Sequence, residues 1–173
     1  MKVLHCCLAN FYIDNYSYQE NILPKMHKYQ GHDVAIVAST ETYINNTKLG
    51  YVEPSSYYTE EGIPITRLPY VKHIPHKVVK KLRLYEGLTE YIEEFKPEII
   101  FLHGCQFLSI RQVVLYAINN PNVRIYVDNH ADFINSAKSW LSKNILHRII
   151  YRYCANLIEP YTTKFYGVLP ARV

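Results

Sequence analysis

Short apolar runs alternate along this chain with segments whose apolar residues recur every three or four positions. Apolar runs of about four to eight residues predict buried strands, and the longer spacing predicts amphipathic helices. Strands that alternate with helices favour a mostly parallel sheet that is buried on both faces. Right-handed crossovers then give a doubly wound α/β domain. The clearest predicted strands are residues 3–8, 33–39, 98–104 and 123–129.

Two of the predicted helices are defined by their apolar positions. The first covers residues 17–29 and stops at Gly31, which suits a left-handed cap. The second is a single helix that ends at Lys96 before Pro97. The apolar positions are Tyr18, Ile22, Leu23, Met26 and Tyr29 in the first helix, and Val78, Val79, Leu82, Tyr85, Leu88, Ile92 and Phe95 in the second.

The remaining segments carry weaker patterns. Residues 63–70 resemble a strand, but their prolines favour an edge or an irregular position. Residues 40–62 are polar and show no period, so they predict an irregular excursion over the surface. The other predicted elements are helices at 106–118 and 135–153 and a last strand at 156–162.

Length and composition indicate one folded domain over residues 1–173. A chain of 173 residues can bury well over half of its unfolded surface. Hydrophobic residues make up 49% and charged residues 20% of the chain, which excludes a disordered protein. Neither a secretory leader nor an apolar stretch long enough for a membrane span is recognisable.

Charge and cysteine content exclude further classes. The net charge of +4 is too small for an obligate nucleic-acid binder, so no nucleic-acid partner is predicted. The four cysteines form no CxxC pair, and Cys6 and Cys7 lie in an apolar strand pattern. Buried free thiols in a reducing compartment, the cytoplasm, are therefore expected.

One segment, residues 72–83, is strongly basic and contains no acid. It fits either a solvated helix start or a surface that attracts anionic lipid or a lipid-linked diphosphate. In the second case the protein would contact the inner face of an anionic membrane peripherally. The candidate patch consists of Lys72, Lys77, Lys80, Lys81 and Arg83.

Polar side chains gather where three predicted strands end. In a parallel sheet the carboxyl ends of the strands lie at one edge, and ligands bind there. The three segments are therefore expected to converge on one cleft. The candidates are Asn15, Tyr18, Gln19 and Glu20 after the first strand, His103 and Gly104 after another, and Asp128, His130 and Asp132 after a third.

Each candidate also has a structural explanation. Asp128 or Asn129 can cap a helix or satisfy a turn, and His103 can bond loop backbone. His130 is the strongest functional candidate, because imidazole donates hydrogen bonds and titrates near neutrality. Dinucleotide, P-loop and nucleophile-elbow motifs do not occur. Cys105 beside His103 is a weak zinc signal, and no metal site is predicted.

Four segments together resemble the N-terminal half of family-4 glycosyltransferases with the two-domain GT-B architecture. They are KVLHCCLANFY, YQENILPKMHKYQGHDVAIVAS, FKPEIIFLHG and VRIYVDNHADF, in this order and spacing. The similarity covers nearly the whole chain and is greatest to bacterial enzymes of capsular and surface polysaccharide synthesis. The GHDV element, the KPEIIFLHG element and His130 at the end of YVDNH are its most specific parts.

This resemblance implies a retaining transferase that moves a sugar from a nucleotide-sugar to a glycan or lipid-linked acceptor. It implies no bound metal and no cofactor beyond the nucleotide-sugar co-substrate. The N-terminal half would hold the acceptor. His130 matches the family's active-site histidine near the reacting carbon, and the segment around residues 14–20 matches the loop that meets the diphosphate and acceptor.

The chain departs from the family in two ways. Its first loop, YIDNYSYQE, lacks the Gly-Gly pair that many members carry, so side chains such as Asn15, Tyr18 and Gln19 would have to substitute. The nucleotide-binding second domain is absent from these residues, so the chain is expected to be an inactive half of a longer enzyme. The alternative is a stand-alone, non-catalytic α/β module that binds sugar or another protein.

Overall fold

A computed structural model describes residues 1–44, 48–129 and 142–167 of the chain. Within these ranges seven strands form one sheet, and two short strands form a separate antiparallel hairpin. The strands are β1 (Lys2–Cys7), β2 (Asp33–Ser39), β3 (Glu41–Ile44), β4 (Lys48–Tyr51), β5 (Ser55–Tyr58), β6 (Pro64–Leu68), β7 (Ile99–His103), β8 (Arg124–Asn129) and β9 (Thr162–Gly167), with β3 and β4 forming the hairpin.

Helices occupy most of the connections between parallel strands. One follows β1, two lie between β6 and β7, one lies between β7 and β8, and the last precede β9. They are α1 (Gln19–Tyr29), α2 (His76–Leu82), α3 (Leu88–Phe95), α4 (Ile110–Asn119), a π-helical segment (Ser142–Tyr151), α5 (Arg152–Ile158) and a 3₁₀ turn (Glu159–Tyr161).

The main sheet has the strand order β5-β6-β2-β1-β7-β8-β9, and every neighbouring pair is parallel except β5 and β6. The predicted α/β fold with a mostly parallel sheet is therefore confirmed. The six parallel strands follow the Rossmann order 3-2-1-4-5-6. Their order reverses between β1 and β7, which makes this the switch point where ligands bind in such sheets.

The two faces of the sheet are covered differently. Leu4 and Cys6 of β1 join the larger core cluster, to which α2, α3, α4 and α5 contribute. Val3 and Cys7 point to the opposite face, where α1 packs against β1 and β2. We call this second surface the α1 face. Helices therefore lie on both faces, as the doubly wound prediction requires.

The apolar stripe by which the sequence predicts α1 is not the buried side of the helix. Tyr18, Ile22, Met26 and Tyr29 are between 48% and 73% exposed, whereas Asn21 and Pro24 are buried. Polar contacts explain the orientation, because the Asn21 amide donates to the carbonyl of Ile13 and His27 lies against β1. Apolar spacing alone therefore misplaced the face of this helix.

The single helix predicted over residues 78–95 is also wrong. The structure has two helices, and the chain between them contains left-handed residues at Arg83 (φ 54°) and Gly87 (φ 80°). Tyr85 lies between them, pairs with Tyr70 and is buried. Tyr85 is buried through this strand-like contact and not through a helix face. In the sequence it nevertheless falls at a helical spacing, so the predicted helix was extended across it.

The edge or irregular position predicted for residues 63–70 is wrong as well. β6 lies between β2 and β5, and Pro64 is its first residue, where a missing N–H is tolerated. The edge is formed by β5, within the stretch 40–62 predicted to be irregular. That stretch contains β3, β4 and β5, because its Thr, Tyr and Ile residues favour strands despite their polar neighbours.

Several predicted elements in the C-terminal half of the chain differ in position from the observed ones. The strand predicted at 156–162 is wrong, because residues up to Ile158 remain helical and β9 begins only at Thr162. Ile158 packs into the core from a helix, so its apolar run resembled a strand. The helix predicted at 106–118 begins later, at Ile110. Of the helix predicted at 135–153, residues 135–141 lie outside the described ranges.

Candidate functional site

The loops that follow β1 and β7 meet at the switch point, and Gly104 permits their contact. Gly104 has φ +85°, a conformation that glycine adopts readily. A Cβ atom there would lie 2.9 Å from Cβ of Ala9 and 2.9 Å from Oε1 of Gln106. The Gly104 N–H also donates to the carbonyl of Asp128, at 3.0 Å. A side chain at this position would push the three strand ends apart.

A carboxylate from β8 connects the other two segments. Oδ2 of Asp128 lies 2.9 Å from Nδ1 of His103, which is its register partner on β7. The Gln19 amide donates to the same oxygen at 3.2 Å. Three of the predicted site residues, from three separate segments, are thus brought together. His103 and Asp128 are at most 1% exposed, so this pair is buried beneath the strand ends. We call the pair the floor of the site.

The other predicted site residues lie around this floor or outside the described ranges. Asn15 is exposed and left-handed, with φ 61°. Tyr18 is 49% exposed immediately before α1, and Glu20 is half-buried in the first turn of that helix. His130 and Asp132 lie in the undescribed segment 130–141, so their predicted placement stays a prediction.

The basic patch lies beside the same edge, but its members differ. Lys72, Lys77 and Lys81 are exposed. Lys80 places its Nζ 5.9 Å from the ring centre of Tyr51. Arg83 does not belong to an open patch, because its guanidinium donates to the carbonyl of Gln106 and packs over Tyr151. That contact ties the end of α2 to the loop after β7.

Sequence reasoning missed a buried arginine that holds the first loop. Arg67 on β6 is 3% exposed and donates to the carbonyls of Ser39 and Tyr12. It also bonds Oδ2 of Asp14 at 2.9 Å and the hydroxyl of Tyr57 at 2.8 Å. In the sequence, Arg67 was recognisable only as a single charged residue within a predicted strand. Its contacts fix the loop that carries Asn15.

Two further histidines were missed beside His103. His5 lies within β1 and is fully buried, and His27 lies on α1 and is half-buried. Burial lowers the pKa of His5 well below its usual value, and the nearby His103 and His27 lower it further. Burial also lowers the pKa of His27, as do His32 and His103. A histidine in an apolar strand was again the signal.

We expect acid to destabilise the fold through His5. The pKa of this ring is lowered in the folded chain, so below about pH 6.5 the unfolded chain binds a proton that the folded chain excludes. The stabilising effect of the neutral ring is thus complete above pH 6.5 and is lost as the pH falls. The loss should be about 1.4 kcal/mol per pH unit, measured by urea unfolding between pH 7.5 and 5.

The matched variants for this measurement are His5→Phe and His73→Phe. A phenyl ring suits position 5, because the imidazole there already stacks on Phe101 with ring centres 5.5 Å apart. His5→Phe should reduce the pH dependence of the free energy of unfolding by the contribution of one proton, about 1.4 kcal/mol per pH unit. His73 is exposed, so its replacement should leave the slope unchanged. Equal slopes in the wild type and His5→Phe would contradict the prediction.

The cysteines are buried and free, as predicted. Burial raises the pKa of Cys105 to about 11 and that of Cys154 to about 12, so both remain neutral thiols.

Across residues 1–44, 48–129 and 142–167, no three His, Cys, Asp or Glu side chains are grouped suitably for a metal ion. In the same residues, no helix has the length and apolarity that crossing a bilayer requires.

The fold and the strand-end contacts define a Rossmann-like α/β domain with a polar floor at its switch point. Neither a protein-family model nor a curated protein matches the chain.

Proposed function

We propose that this chain is the acceptor-binding half of a retaining glycosyltransferase. The enzyme moves a sugar from a nucleotide-sugar to a glycan or lipid-linked acceptor during surface polysaccharide synthesis. The observation that carries the proposal is the meeting of Gln19, His103 and Asp128 beside Gly104. These residues lie in segments of the chain that resemble the transferase family, and they meet where a doubly wound sheet binds ligands.

The chemistry of this edge suits a hydroxyl-rich ligand. Gln19 is half-buried and can donate and accept, the buried Asp128 accepts from its amide, and the exposed Tyr18 precedes Gln19 in the chain with an aromatic ring. Sugars need this mixture of donors, acceptors and apolar surface. The first loop lacks glycine for close approach to a diphosphate, which favours a role with the acceptor. Arg67 holds that loop in place through Asp14.

Chemical-shift mapping of the 173-residue chain tests the proposed acceptor site. Titration with bacterial oligosaccharides should shift the amides of Gln19, Gly104 and Asp128, with affinity in the millimolar range. Nucleotide-sugars should bind no more tightly, because the proposed nucleotide-binding half is absent from these residues. The chain alone should transfer no sugar, whereas the complete enzyme should transfer it from one member of a nucleotide-sugar panel.

Two results would overturn the proposal. Saccharide-induced shifts confined to surfaces away from this edge would refute the acceptor site. Sugar binding at the edge, combined with a complete protein that transfers no sugar from any donor of the panel, would favour the stand-alone binding module. Micromolar nucleotide-sugar binding to the 173-residue chain would contradict the division of the substrates between two halves.

We expect the exposed lysines near this edge to bind anionic membranes. Replacing Lys72, Lys77 and Lys81 together with glutamine should weaken binding to phosphatidylserine vesicles on the order of 10²-fold at low salt. The reason is that each lysine near such a surface contributes about 1 kcal/mol. Physiological salt, with a Debye length of about 8 Å, should remove most of the wild-type binding. Vesicle co-sedimentation measures both effects.

The control variant changes the same amount of charge at the opposite edge of the sheet. Lys28 lies in the last turn of α1, Lys96 precedes β7, and Arg124 begins β8, so all three lie at the amino-terminal ends of the parallel strands. Their combined replacement by glutamine should leave vesicle binding nearly unchanged. Equal losses in the two triple variants would mean that net charge, and not the patch, is responsible.

A further inference from the structure

A continuous row of hydrogen-bonded side chains crosses the α1 face from Asp128 to His27. Nδ1 of His103 contacts Asp128, and its Nε2 lies 3.0 Å from Nδ1 of His5. Nε2 of His5 in turn lies 3.0 Å from Nδ1 of His27. Both ring nitrogens of the two buried histidines are therefore engaged. One end of the row is at the strand-end site, and the other is at the half-buried His27.

The carboxylate of Asp128 fixes the position of every proton in this row. A carboxylate only accepts, so Nδ1 of His103 carries a hydrogen, and in the starting state of the proposed relay Nε2 of that ring accepts. His5 then donates from Nδ1 to His103 and accepts at Nε2 from Nδ1 of His27. All three rings are consequently Nδ1–H tautomers. The lone pair that remains lies on Nε2 of His27.

We propose that Asp128, His103, His5 and His27 form a proton relay between the strand-end site and a cavity on the α1 face. This cavity has a volume of about 300 Å³, and His27, Phe101 and Tyr126 are among its lining residues. The relay gives the site a proton path that does not pass through its ligand-facing edge. His5 and His27 act as positioning residues, because they reach the site only through His103.

The transfer steps conserve protons. A proton that binds Nε2 of His27 releases the Nδ1 proton of that ring to Nε2 of His5. His5 passes its own Nδ1 proton to Nε2 of His103. The His103–Asp128 pair gains one proton and its charge changes from −1 to 0. His27 and His5 end as neutral Nε2–H tautomers, and no bond between heavy atoms changes.

The surroundings of the row favour the state in which the added proton resides on the His103–Asp128 pair. Burial disfavours a positive charge on His5, and Arg124, which lines the same cavity as His27, disfavours one at the outer end. At the inner end of the row, the Asp128 carboxylate lies 2.9 Å from Nδ1 of His103 and stabilises a proton held there. Other titratable groups near the row include His32 from the turn after α1 and Cys7 from β1, and the Met1 amino terminus, Tyr126 and Tyr166 belong to residues that line the same cavity as His27.

The relay does not depend on the sugar-transfer reaction, so it can be tested on the 173-residue chain without a substrate. Long-range proton–nitrogen spectra of the chain labelled with ¹⁵N-histidine report the tautomer of each ring. At pH 8 His5, His27 and His103 should all be Nδ1–H tautomers. On acidification His5 and His27 should change to Nε2–H together, with one shared midpoint. An Nε2–H ring among the three at pH 8 would overturn the proposal, as would midpoints for His5 and His27 more than about one pH unit apart.

A variant at the outer end separates a relay from simple packing. His27→Phe keeps a ring on the half-buried surface of α1, and it removes both the proton entry and the Nδ1 atom that accepts from His5 in the Nε2–H state. In this variant His5 should stay Nδ1–H at every pH at which the chain is folded, whereas His73→Phe should preserve the wild-type change. If His5 still changed tautomer at the wild-type midpoint in His27→Phe, the relay would be refuted.

Discussion

Replacing His130 with alanine in the complete enzyme should lower the rate of sugar transfer by about 10²–10³-fold. The resemblance of the four sequence segments to the transferase family motivates this expectation, together with the position of His130 directly after β8. Asp128 lies two residues earlier, at the floor of the proposed acceptor site. A side chain that stabilises charge only in the transition state lowers kcat and leaves KM for the acceptor almost unchanged. Initial-rate measurements with both substrates varied distinguish the two parameters.

The matched control for this variant is His73→Ala. His73 is exposed before α2, so its loss should change kcat less than about twofold. A circular-dichroism melt establishes that His130→Ala is folded. Near-normal turnover by a folded His130→Ala enzyme would refute the proposed role. A selective rise in KM would instead assign His130 to ground-state binding, and this too would contradict the prediction.

Secondary structure was predicted most accurately from the sequence where a single physical requirement dictates the residue types of a whole segment. β2 was predicted with its observed bounds, because a parallel strand buried on both faces needs an uninterrupted apolar run. The convergence of Gln19, His103 and Asp128 followed from the same logic, since strand order places the carboxyl ends together. Patterns that depend on local residue type were thus sufficient to predict the fold class.

The orientation of α1 and the roles of Arg67 and His5 were missed because polar contacts with other segments overrode local pattern. α1 buries Asn21 because its amide reaches Ile13, and nothing within the helix itself indicates this partner. Arg67 and His5 appeared as isolated polar residues in apolar strands, and their partners lie far away in sequence. A sequence marks such a residue as unusual, but only the packed structure supplies the groups that satisfy it.

Arg67→Met should lower the free energy of unfolding by about 3 kcal/mol. The change removes bonds to two backbone carbonyls, to Asp14 and to Tyr57. Each buried acceptor left without a donor costs about 1–3 kcal/mol. Urea unfolding at pH 7 measures the loss. Arg111→Met is the control, because Arg111 is exposed on α4 and its replacement should cost less than about 0.5 kcal/mol.

The carbonyl contacts should account for more of this loss than the ion pair. The Asp14 side chain is 45% exposed, so water screens its attraction to the buried guanidinium and the pair contributes about 1 kcal/mol or less. Asp14→Ala should therefore cost clearly less than Arg67→Met, although it also removes the acceptor of the Tyr57 hydroxyl, 2.7 Å away. Equal costs for the two variants would show that Arg67 acts mainly through the ion pair. A larger cost for Arg67→Met, with faster amide exchange in residues 10–16, would show that it acts as the anchor of the first loop.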